Sequence, residues 1–354
     1  MNVLLTGGTG YIGSHTAVAL AQCGHQVVLL DNLSNSSVEV VDRLAEVVGE
    51  ALPFVKGDIR DTPLLVNTLL THKIDAVIHF AGLKSVGESV QAPVAYYANN
   101  VQGTISLVQA MEAAAVYTLV FSSSATIYGE PRYLPLDEAH PTSATNPYGR
   151  SKLHIEEMLS DVASSDPAWR IACLRYFNPV GAHESGLLGE LPSGTPNNLM
   201  PLMAQVAAGR RVALDVLGND YPTADGTGVR DYIHVMDLAE GHAAALNFLH
   251  RQAGWHAFNL GTGQGHSVFE MLRTYEQVSG HHVPYRLMPR RPGDVASCYA
   301  NADKAAAELG WRARRSLDDM CRSSWRFESQ AGRQSGQPFQ ARANPGFRQA
   351  SSAR

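Results

Sequence analysis

Two side chains near the middle of the chain, Tyr148 and Lys152, could together move a proton. They stand four residues apart in a segment whose pattern predicts a helix, and this spacing places both on one helical face. A free tyrosine titrates near pH ~10, but a positive charge at about 4 Å is worth roughly 4 kcal/mol at an effective dielectric of ~20. Lys152 is therefore expected to lower the pKa of Tyr148 by up to about three units, since one unit corresponds to ~1.4 kcal/mol. The pair predicts a general base near neutral pH; the alternative is an amphipathic helix with a surface lysine.

Three glycines, Gly7, Gly10 and Gly13, form a candidate phosphate-binding turn. They lie between a predicted strand at 3–7 and a predicted helix at 11–23, where glycine lets the backbone turn tightly and approach a pyrophosphate. The N-terminus of that helix adds free N–H donors and a partial positive charge. A plain tight turn would use the same residues, so the dinucleotide hypothesis also needs an acid after the second strand.

Asp31 supplies that acid at the end of a predicted strand at 26–31. A carboxylate there can accept hydrogen bonds from the adenosine ribose and repels a 2′-phosphate. Residues 32–37 contain no Lys or Arg that would bind such a phosphate, which predicts NAD rather than NADP. Asp58 follows the third predicted strand, where it either reaches the adenine or occupies a surface turn.

A run of serines ending at Ser124 closes a predicted strand at 117–124, which follows a helix predicted over 93–114. Parallel sheets bind ligands at the carboxyl ends of their strands. A serine at that edge can hydrogen-bond a sugar hydroxyl or the carbonyl that replaces it, whereas the alternative is a serine-rich turn. Four features occur in this order along the chain: the glycine turn, Asp31, the serine and the Tyr148/Lys152 pair. Together they favour an NAD-dependent enzyme.

Strand-like and helical patterns alternate through the first half of the chain. This alternation predicts an α/β fold with a doubly wound parallel sheet of the Rossmann type, which we assign to an NAD-binding domain over 1–177. Gly, Pro and Asn then become frequent, and we expect a smaller, partly discontinuous α/β substrate-binding domain over 178–327. Its segment 229–246 is expected to return to the main sheet. Residues 328–354, rich in Gln, Ser, Arg and Gly, predict a disordered tail.

Composition narrows the class of protein further. The 354 residues are 45% hydrophobic and carry a formal net charge of −5, so the chain has no basic excess for nucleic acid. Four scattered cysteines without a CxxC pair predict reduced thiols, and no histidine has the spacing of a metal ligand, so no metal is expected. No signal peptide and no membrane-spanning run is recognised, which predicts a cytoplasmic protein with no membrane partner.

Several longer stretches resemble one known family. They are LTGGTGYIGSHT (5–16), FAGLKSVGESV (80–90), FSSSATIYGE (121–130), PYGRSKL (147–153), LRYFNPVGAH (174–183), PNNLMP (196–201) and GNDYPTADGTGVRDYIHVMDLA (218–239). Over about residues 1–327 the chain resembles the UDP-glucose 4-epimerase family of the extended short-chain dehydrogenase/reductase superfamily. The resemblance implies reversible epimerisation at carbon 4 of UDP-glucose and UDP-galactose through a 4-keto intermediate. It also implies tightly bound NAD, a UDP-hexose substrate and a homodimer.

The same resemblance implies roles for individual residues. Ser124, Tyr148 and Lys152 are implied to be catalytic. The implied cofactor contacts, besides the glycines, are Tyr11, Ile12, Asp31, Asn32, Asp58, Ile59, Phe80, Ala81, Lys84, Asn99, Tyr148, Lys152 and Tyr176. The implied substrate contacts are Ser124, Tyr148, Phe177, Asn178, Asn198, Leu199, Arg230, Tyr232, Arg291 and Asp294. Guanidinium groups at 230 and 291 could clamp the two phosphates of UDP bidentately.

Cys298 bears on which sugars are accepted. It ends the stretch GDVASC (293–298), where the family carries either a bulky tyrosine or a small residue such as cysteine. A small side chain leaves room for an N-acetyl group, so we predict that UDP-GlcNAc and UDP-GalNAc are also interconverted. Tyr299 is the next residue, and a shift of one position would reverse this inference. Cys298 could also be a buried structural thiol.

Three other functions use the same fold. A nucleotide-sugar 4,6-dehydratase would need an added acid and base near the serine, but Ser124-Ala125-Thr126 carries no carboxylate. A non-catalytic NAD-sensing protein would be expected to lose the pair formed by Tyr148 and Lys152, which is intact here. A simple dehydrogenase would release NADH.

Overall fold

The computed structural model describes residues 1–191, 196, 198–291 and 293–334. Its strands are β1 (Asn2–Thr6), β2 (Gln26–Asp31), β3 (Phe54–Lys56), β4 (Ala76–His79), β5 (Thr118–Ser124), β6 (Arg170–Tyr176), β7 (Asn178–Val180), β8 (Leu214–Leu217), β9 (Val229–His234), β10 (Gly254–Leu260), β11 (Gly265–Ser267), β12 (Tyr285–Met288) and β13 (Ser297–Cys298). Its helices are α1 (Tyr11–Gln22), α2 (Glu39–Val48), α3 (Thr62–Thr71), α4 (Val86–Gln91), α5 (Pro93–Tyr96), α6 (Gln102–Ala113), α7 (Pro147–Ser165), α8 (Leu199–Ala207), α9 (Val235–Leu249), α10 (Val268–Ser279) and α11 (Leu317–Gln334). None of the described helices combines the length and apolar character needed to cross a bilayer.

Seven of the strands form one parallel sheet in the order β10-β6-β5-β4-β1-β2-β3. The chain builds β2 and β3 on one side of β1 and then crosses to build β4, β5 and β6 on the other side. The carboxyl ends of β1 and β4 therefore flank a topological switch point, the place where doubly wound sheets bind ligands. The predicted doubly wound parallel sheet is confirmed.

Helices cover both faces of this sheet. Successive strand residues point to opposite faces, so Val3 and Leu5 of β1 face one hydrophobic core while Leu4 faces the other. The first core includes residues of α1 and α9, and the second includes residues of α6 and α7. Burial on both faces explains why the strands read as continuous apolar runs in the sequence.

Most of the chain beyond β6, except α9 and β10, builds a second layer. Strand β9 pairs in parallel with β7 and β13 and antiparallel with β11, and β8 and β12 form a separate parallel pair. Helices α8, α10 and α11 pack together around a core that includes Met203, Met271 and Cys321. Within residues 229–246, strand β9 belongs to this small sheet rather than to the main sheet, and α9 packs against α1. The strand that rejoins the main sheet is β10, beside β6.

The helix predicted over 93–114 is interrupted. Helix α5 ends at Tyr96, a wider π-helical turn covers Tyr97–Val101, and α6 follows. In this turn the buried side chain of Asn100 accepts a hydrogen bond from the N–H of Leu83 (2.8 Å) and donates one to its carbonyl (3.0 Å). The wider turn therefore holds the loop that follows β4, as such turns often do near functional sites.

The predicted start of the tail at residue 328 is wrong. Helix α11 continues to Gln334, and Phe327 and Glu328 are buried. The helix packs against α8 and α10. The composition of this stretch resembles that of a disordered tail, but a few of its side chains are buried in this contact and keep it helical. The remainder of the predicted tail, residues 335–354, lies outside the described residues.

Candidate active site

The glycine turn follows β1 at the switch point. Gly7 has φ of +69°, and a Cβ atom on it would lie 2.7 Å from the backbone nitrogen of Ala81, so only glycine fits. A Cβ atom on Gly13 would collide with the carbonyl oxygen of Gly7. Helix α1 begins after Gly10 without a side-chain cap and without an acid in its first turn. Its first N–H groups are therefore available to an anion, and this geometry fits a pyrophosphate.

Asp31 lies at the end of β2, directly beside the glycine turn. Its Oδ2 accepts from the N–H of Thr9 (3.2 Å), and its Oδ1 accepts from the N–H of Leu33 (2.8 Å) and the hydroxyl of Ser36 (3.3 Å). These bonds fix the orientation of a buried carboxylate. A carboxylate held next to a helix N-terminus fits the ribose-binding role that the sequence predicts.

Asp58 pairs with an arginine that the sequence analysis did not single out. The guanidinium of Arg60 contacts both carboxylate oxygens at 2.8 Å, and Asn32 donates to Oδ2 at 3.2 Å. The hydrogen bonds from Arg60 hold the pKa of Asp58 well below its usual range. Asp58 is half-buried beside Asn32, so it is neither a free surface turn residue nor an isolated anion.

Ser124, Tyr148 and Lys152 converge at the carboxyl end of β5. Tyr148 and Lys152 lie in the first two turns of α7, whose N-terminus is capped by Asn146 through a hydrogen bond to Gly149 (2.9 Å). The ammonium of Lys152 is buried and donates to the carbonyl of Ser122 at 2.6 Å. The hydroxyl of Ser124, which accepts from the N–H of Thr126 at 3.2 Å, is near enough to Tyr148 to lower the pKa of its phenol. The sequence-predicted catalytic residues are thus brought together.

The predicted effect of Lys152 on Tyr148 is not what the structure shows. Burial raises the pKa of Tyr148, and the neighbouring hydroxyl of Ser124 acts in the opposite direction. Burial also lowers the pKa of Lys152 to about 8. The side chain of Lys152 points its ammonium at the carbonyl of Ser122, so desolvation of the phenol outweighs the attraction that helical spacing suggested.

A carboxylate missed by the sequence analysis connects the two sides of the site. Oε1 of Glu190 accepts from the ammonium of Lys84 (2.9 Å) and from the side-chain amide of Asn198 (2.6 Å). Lys84 is a predicted cofactor contact and Asn198 a predicted substrate contact, so Glu190 bridges the two groups. No spacing signal marks Glu190, because its partners lie 106 and 8 residues away in the chain.

The aromatic residues at the ends of β4 and β6 surround a histidine of α9. The hydroxyl of Tyr176 hydrogen-bonds Nε2 of His242, and the ring of Phe80 lies 4.9 Å from the same imidazole. Burial lowers the pKa of His242 to about 4, so it is neutral near pH 7. The predicted cofactor contacts Phe80 and Tyr176 therefore line one wall, next to Ala81 at the glycine turn.

The predicted diphosphate clamp is assembled in the second layer. Asp294 accepts from Arg291 through both carboxylate oxygens (2.7 and 3.2 Å), and the guanidinium of Arg230 lies 3.9 Å from its Oδ1. Arg230 also donates to the carbonyl of Val229 (2.8 Å). Two guanidinium groups beside one carboxylate leave an excess of positive charge, which suits a phosphate-bearing ligand.

Cys298 and Tyr299 lie against different parts of the second layer. Cys298 packs in a cluster with Phe177, a predicted substrate contact, and burial raises its pKa to about 11. Tyr299 instead lies against Gly265 of β11. Of these two neighbours, the one that packs against the cluster containing Phe177 is therefore the small side chain.

The remaining predicted contacts are spread around this site. The hydroxyl of Tyr11 donates to the carbonyl of Gly181 (2.7 Å), and the side-chain amide of Asn99 donates to Asn100 (3.0 Å). Ile12, Ile59 and Tyr232 contribute to hydrophobic cores, Asn178 is exposed on β7, and Leu199 begins α8.

The sheet order, the glycine turn, Asp31 and the Ser124/Tyr148/Lys152 group define an extended short-chain dehydrogenase/reductase. A family model described as GDP-mannose 4,6 dehydratase matches residues 4–324. The chain is 55% identical over 329 residues to the UDP-glucose 4-epimerase of Bacillus subtilis, covering 93% of this chain and 97% of the relative. The chain belongs to the UDP-glucose 4-epimerase family.

Two solved structures support the same assignment. A UDP-glucose 4-epimerase from Stenotrophomonas maltophila, with bound NAD and formylated UDP-arabinopyranose, has a TM-score of 0.93 and 54% identity, covering 94% of this chain and 99% of that chain. An enzyme from Bifidobacterium longum, in complex with NAD+ and UDP, has a TM-score of 0.91 and 50% identity, covering 93% and 98%. The resemblance stated from the sequence motifs is confirmed.

Proposed function

We propose that this protein interconverts UDP-glucose and UDP-galactose by inverting carbon 4 of the sugar, with tightly bound NAD as its cofactor. The observation that carries the proposal is the meeting of Ser124, Tyr148 and Lys152 at the carboxyl end of β5. This group lies on the same sheet edge as the uncapped N-terminus of α1. A dinucleotide and a sugar could therefore meet at the general base.

The chain's own residues handle protons and orientation. NAD, when bound, supplies a hydride acceptor that later returns the hydride, and its positive charge favours the phenolate of Tyr148. Tyr148 accepts the proton of the 4-hydroxyl, and Ser124 hydrogen-bonds the same oxygen and the carbonyl that replaces it. Lys152 carries a buried positive charge below its pKa of about 8 and orients the end of β5 by donating to the carbonyl of Ser122. The charge of bound NAD would offset the burial that raises the pKa of Tyr148 in the protein alone.

We assign cofactor binding to residues 1–177 and binding of the UDP-sugar to residues 178–327. Arg230 and Arg291 bind the two phosphates, and Asn198 and Asp294 contact the nucleotide sugar. The nucleotide anchors the substrate while the hexose turns to present its other face. Glu190 holds Lys84 and Asn198 in position between the two ligands.

We further propose that N-acetylated sugars are accepted. Cys298 packs against the cluster that contains Phe177, and its small side chain leaves room for the N-acetyl group of UDP-GlcNAc or UDP-GalNAc.

We also propose a cytoplasmic homodimer, as the family resemblance implies. Val90 of α4 and Val94 of α5 are 63% and 78% exposed, and such apolar side chains are suited to a subunit contact. A monomer mass in analytical ultracentrifugation of the purified protein would contradict the dimer.

The test is incubation of the purified protein with UDP-galactose and no added cofactor. An epimerase yields UDP-glucose with no net NADH, whereas a 4,6-dehydratase yields a 6-deoxy product and a dehydrogenase accumulates NADH. Tyr148→Phe removes the proposed base and should lower the rate by about 100-fold or more, because positioned general bases contribute that much. A Tyr148→Phe variant with the wild-type rate would refute the assigned base.

A further inference from the structure

Tyr221 has a buried hydroxyl group that the fold does not use. The residue lies in the loop after β8 and is 6% exposed. Its hydroxyl oxygen is buried and has no hydrogen-bond partner among the described residues. Buried tyrosine hydroxyls usually have a hydrogen-bond partner, because a hydroxyl that loses its hydrogen bonds to water and gains none in the protein is unfavourable. An unpaired hydroxyl therefore suggests that its partner is a ligand.

The ring of Tyr221 is held firmly by its neighbours. A Cβ atom on Gly218 would lie 2.6 Å from Cε2 of the ring, so the tyrosine packs directly against the backbone at the end of β8. On another side the guanidinium of Arg290 lies 4.2 Å from the ring centroid, and its Nε donates to Asp220 at 2.6 Å. The position of the hydroxyl is therefore fixed by packing and by a cation–π contact.

The hydroxyl lies within the electrostatic field of the diphosphate clamp. Burial raises the pKa of Tyr221, the charge of Asp294 raises it further, and Arg230, Arg290 and Arg291 act in the opposite direction. Near pH 7 the phenol is therefore neutral and retains a proton to donate. The carboxylate oxygens of Asp294 are both already bonded to Arg291. The group that lacks a partner is thus a donor beside cationic side chains.

We propose that Tyr221 is a substrate-binding residue whose hydroxyl donates a hydrogen bond to the diphosphate of the UDP-sugar. The inference rests on the proposed function, because Arg230 and Arg291 mark the diphosphate position. A phosphate oxygen brings the acceptor that the buried hydroxyl lacks, and the charges of Arg230 and Arg291, which attract the anion, also act on this hydroxyl. The contact adds a neutral donor to a clamp otherwise made of charged groups.

The test compares UDP with uridine on purified wild-type and Tyr221→Phe proteins by isothermal titration calorimetry. Loss of a hydrogen bond to a charged group should weaken UDP binding about tenfold or more. Uridine binding should be unchanged, because uridine has no phosphate. The thermal midpoint without added nucleotide should be unchanged or higher, because phenylalanine removes a polar group that has no partner in the protein.

The matched control is Tyr275→Phe. Tyr275 is a fully buried tyrosine of the second layer whose hydroxyl is near Ser324, and its variant should bind UDP as the wild type does. Equal weakening of UDP and uridine by Tyr221→Phe would overturn the phosphate contact, as would unchanged UDP binding. A lower thermal midpoint with unchanged UDP binding would assign the hydroxyl to folding instead. Wild-type protein that fails to bind UDP would contradict the proposed function itself.

Discussion

At the scale of single residues, the catalytic pair illustrates how far spacing alone can be read. Tyr148 and Lys152 share a face of α7, as their separation predicts. The ammonium, however, donates to Ser122, and burial raises the pKa of the phenol instead of leaving it lowered. Proximity along a helix follows from the sequence, whereas the balance of desolvation and charge depends on everything that surrounds the pair.

The prediction at this scale concerns Cys298. Cys298→Tyr should lower kcat/KM for UDP-GlcNAc by at least about tenfold, because added bulk at a position that packs against the cluster containing Phe177 fills the room proposed for the N-acetyl group. The rate on UDP-galactose should change much less. Both rates are measured by chromatographic separation of the UDP-sugars.

Cys298→Ser is the matched control, since serine keeps the side chain small and should leave both activities largely intact. Equal activity of Cys298→Tyr and wild type on UDP-GlcNAc would contradict the prediction. So would wild-type protein with no detectable activity on UDP-GlcNAc.

At the scale of elements, two side chains of α7 hold the end of β5 by hydrogen bonds to the two serines that precede Ser124. Lys152 of α7 binds the carbonyl of Ser122, and Glu156, one turn further, accepts from the hydroxyl of Ser123. Arg175 of β6 contacts the same carboxylate at 2.8 Å. Glu156 and Arg175 are both buried, so this ion pair lies in the low-dielectric interior behind the catalytic residues.

Glu156→Gln should lower the free energy of unfolding by about 3–5 kcal/mol, because it leaves the charge of Arg175 buried without its counter-ion. Equilibrium unfolding in urea measures the change. Glu157→Gln is the matched control: this neighbour is exposed, and its substitution should change stability by no more than about 0.5 kcal/mol. Equal effects of the two substitutions would show that the buried Glu156–Arg175 ion pair does not stabilise the packing of α7 against β6.

At the scale of the whole molecule, several buried histidine side chains are uncharged in the folded protein near pH 7. Burial lowers the pKa of His15 and His242 to about 4 and that of His79 and His234 to about 3. In the unfolded chain each would titrate near ~6.5. The unfolded state therefore binds more protons than the folded state as the pH falls below 6.5, and stability is lost in that direction.

We predict that the free energy of unfolding falls between pH 6.5 and pH 4.5, by at most about 1.4 kcal/mol per buried histidine for each pH unit. Burial raises the pKa of Glu138 and Asp231, which acts in the opposite direction, but two carboxyls do not offset four histidines. Urea unfolding at several pH values measures the slope. His79→Gln should reduce it, whereas a substitution at the exposed His250 should not. A flat profile over this range would contradict the prediction.

The local features of this protein could be predicted from short stretches of its sequence. Glycine at 7 and 13, Asp31 after β2 and the spacing of Tyr148 and Lys152 are properties of short segments, and short segments carry the patterns of turns, strands and helices. The strand–helix alternation likewise determined the parallel sheet. The helical spacing from Lys152 to Glu156 was a further local signal that could have been used.

Contacts between residues far apart in the chain could not be predicted in this way. Glu190 joins Lys84 to Asn198 across the site, and Cys298 packs against the cluster that contains Phe177 whereas Tyr299 lies against Gly265. These contacts depend on how loops far apart in the chain pack together, and no periodicity encodes that packing. The same reason applies to ionisation, because burial is a property of the folded molecule and not of the segment that carries the group.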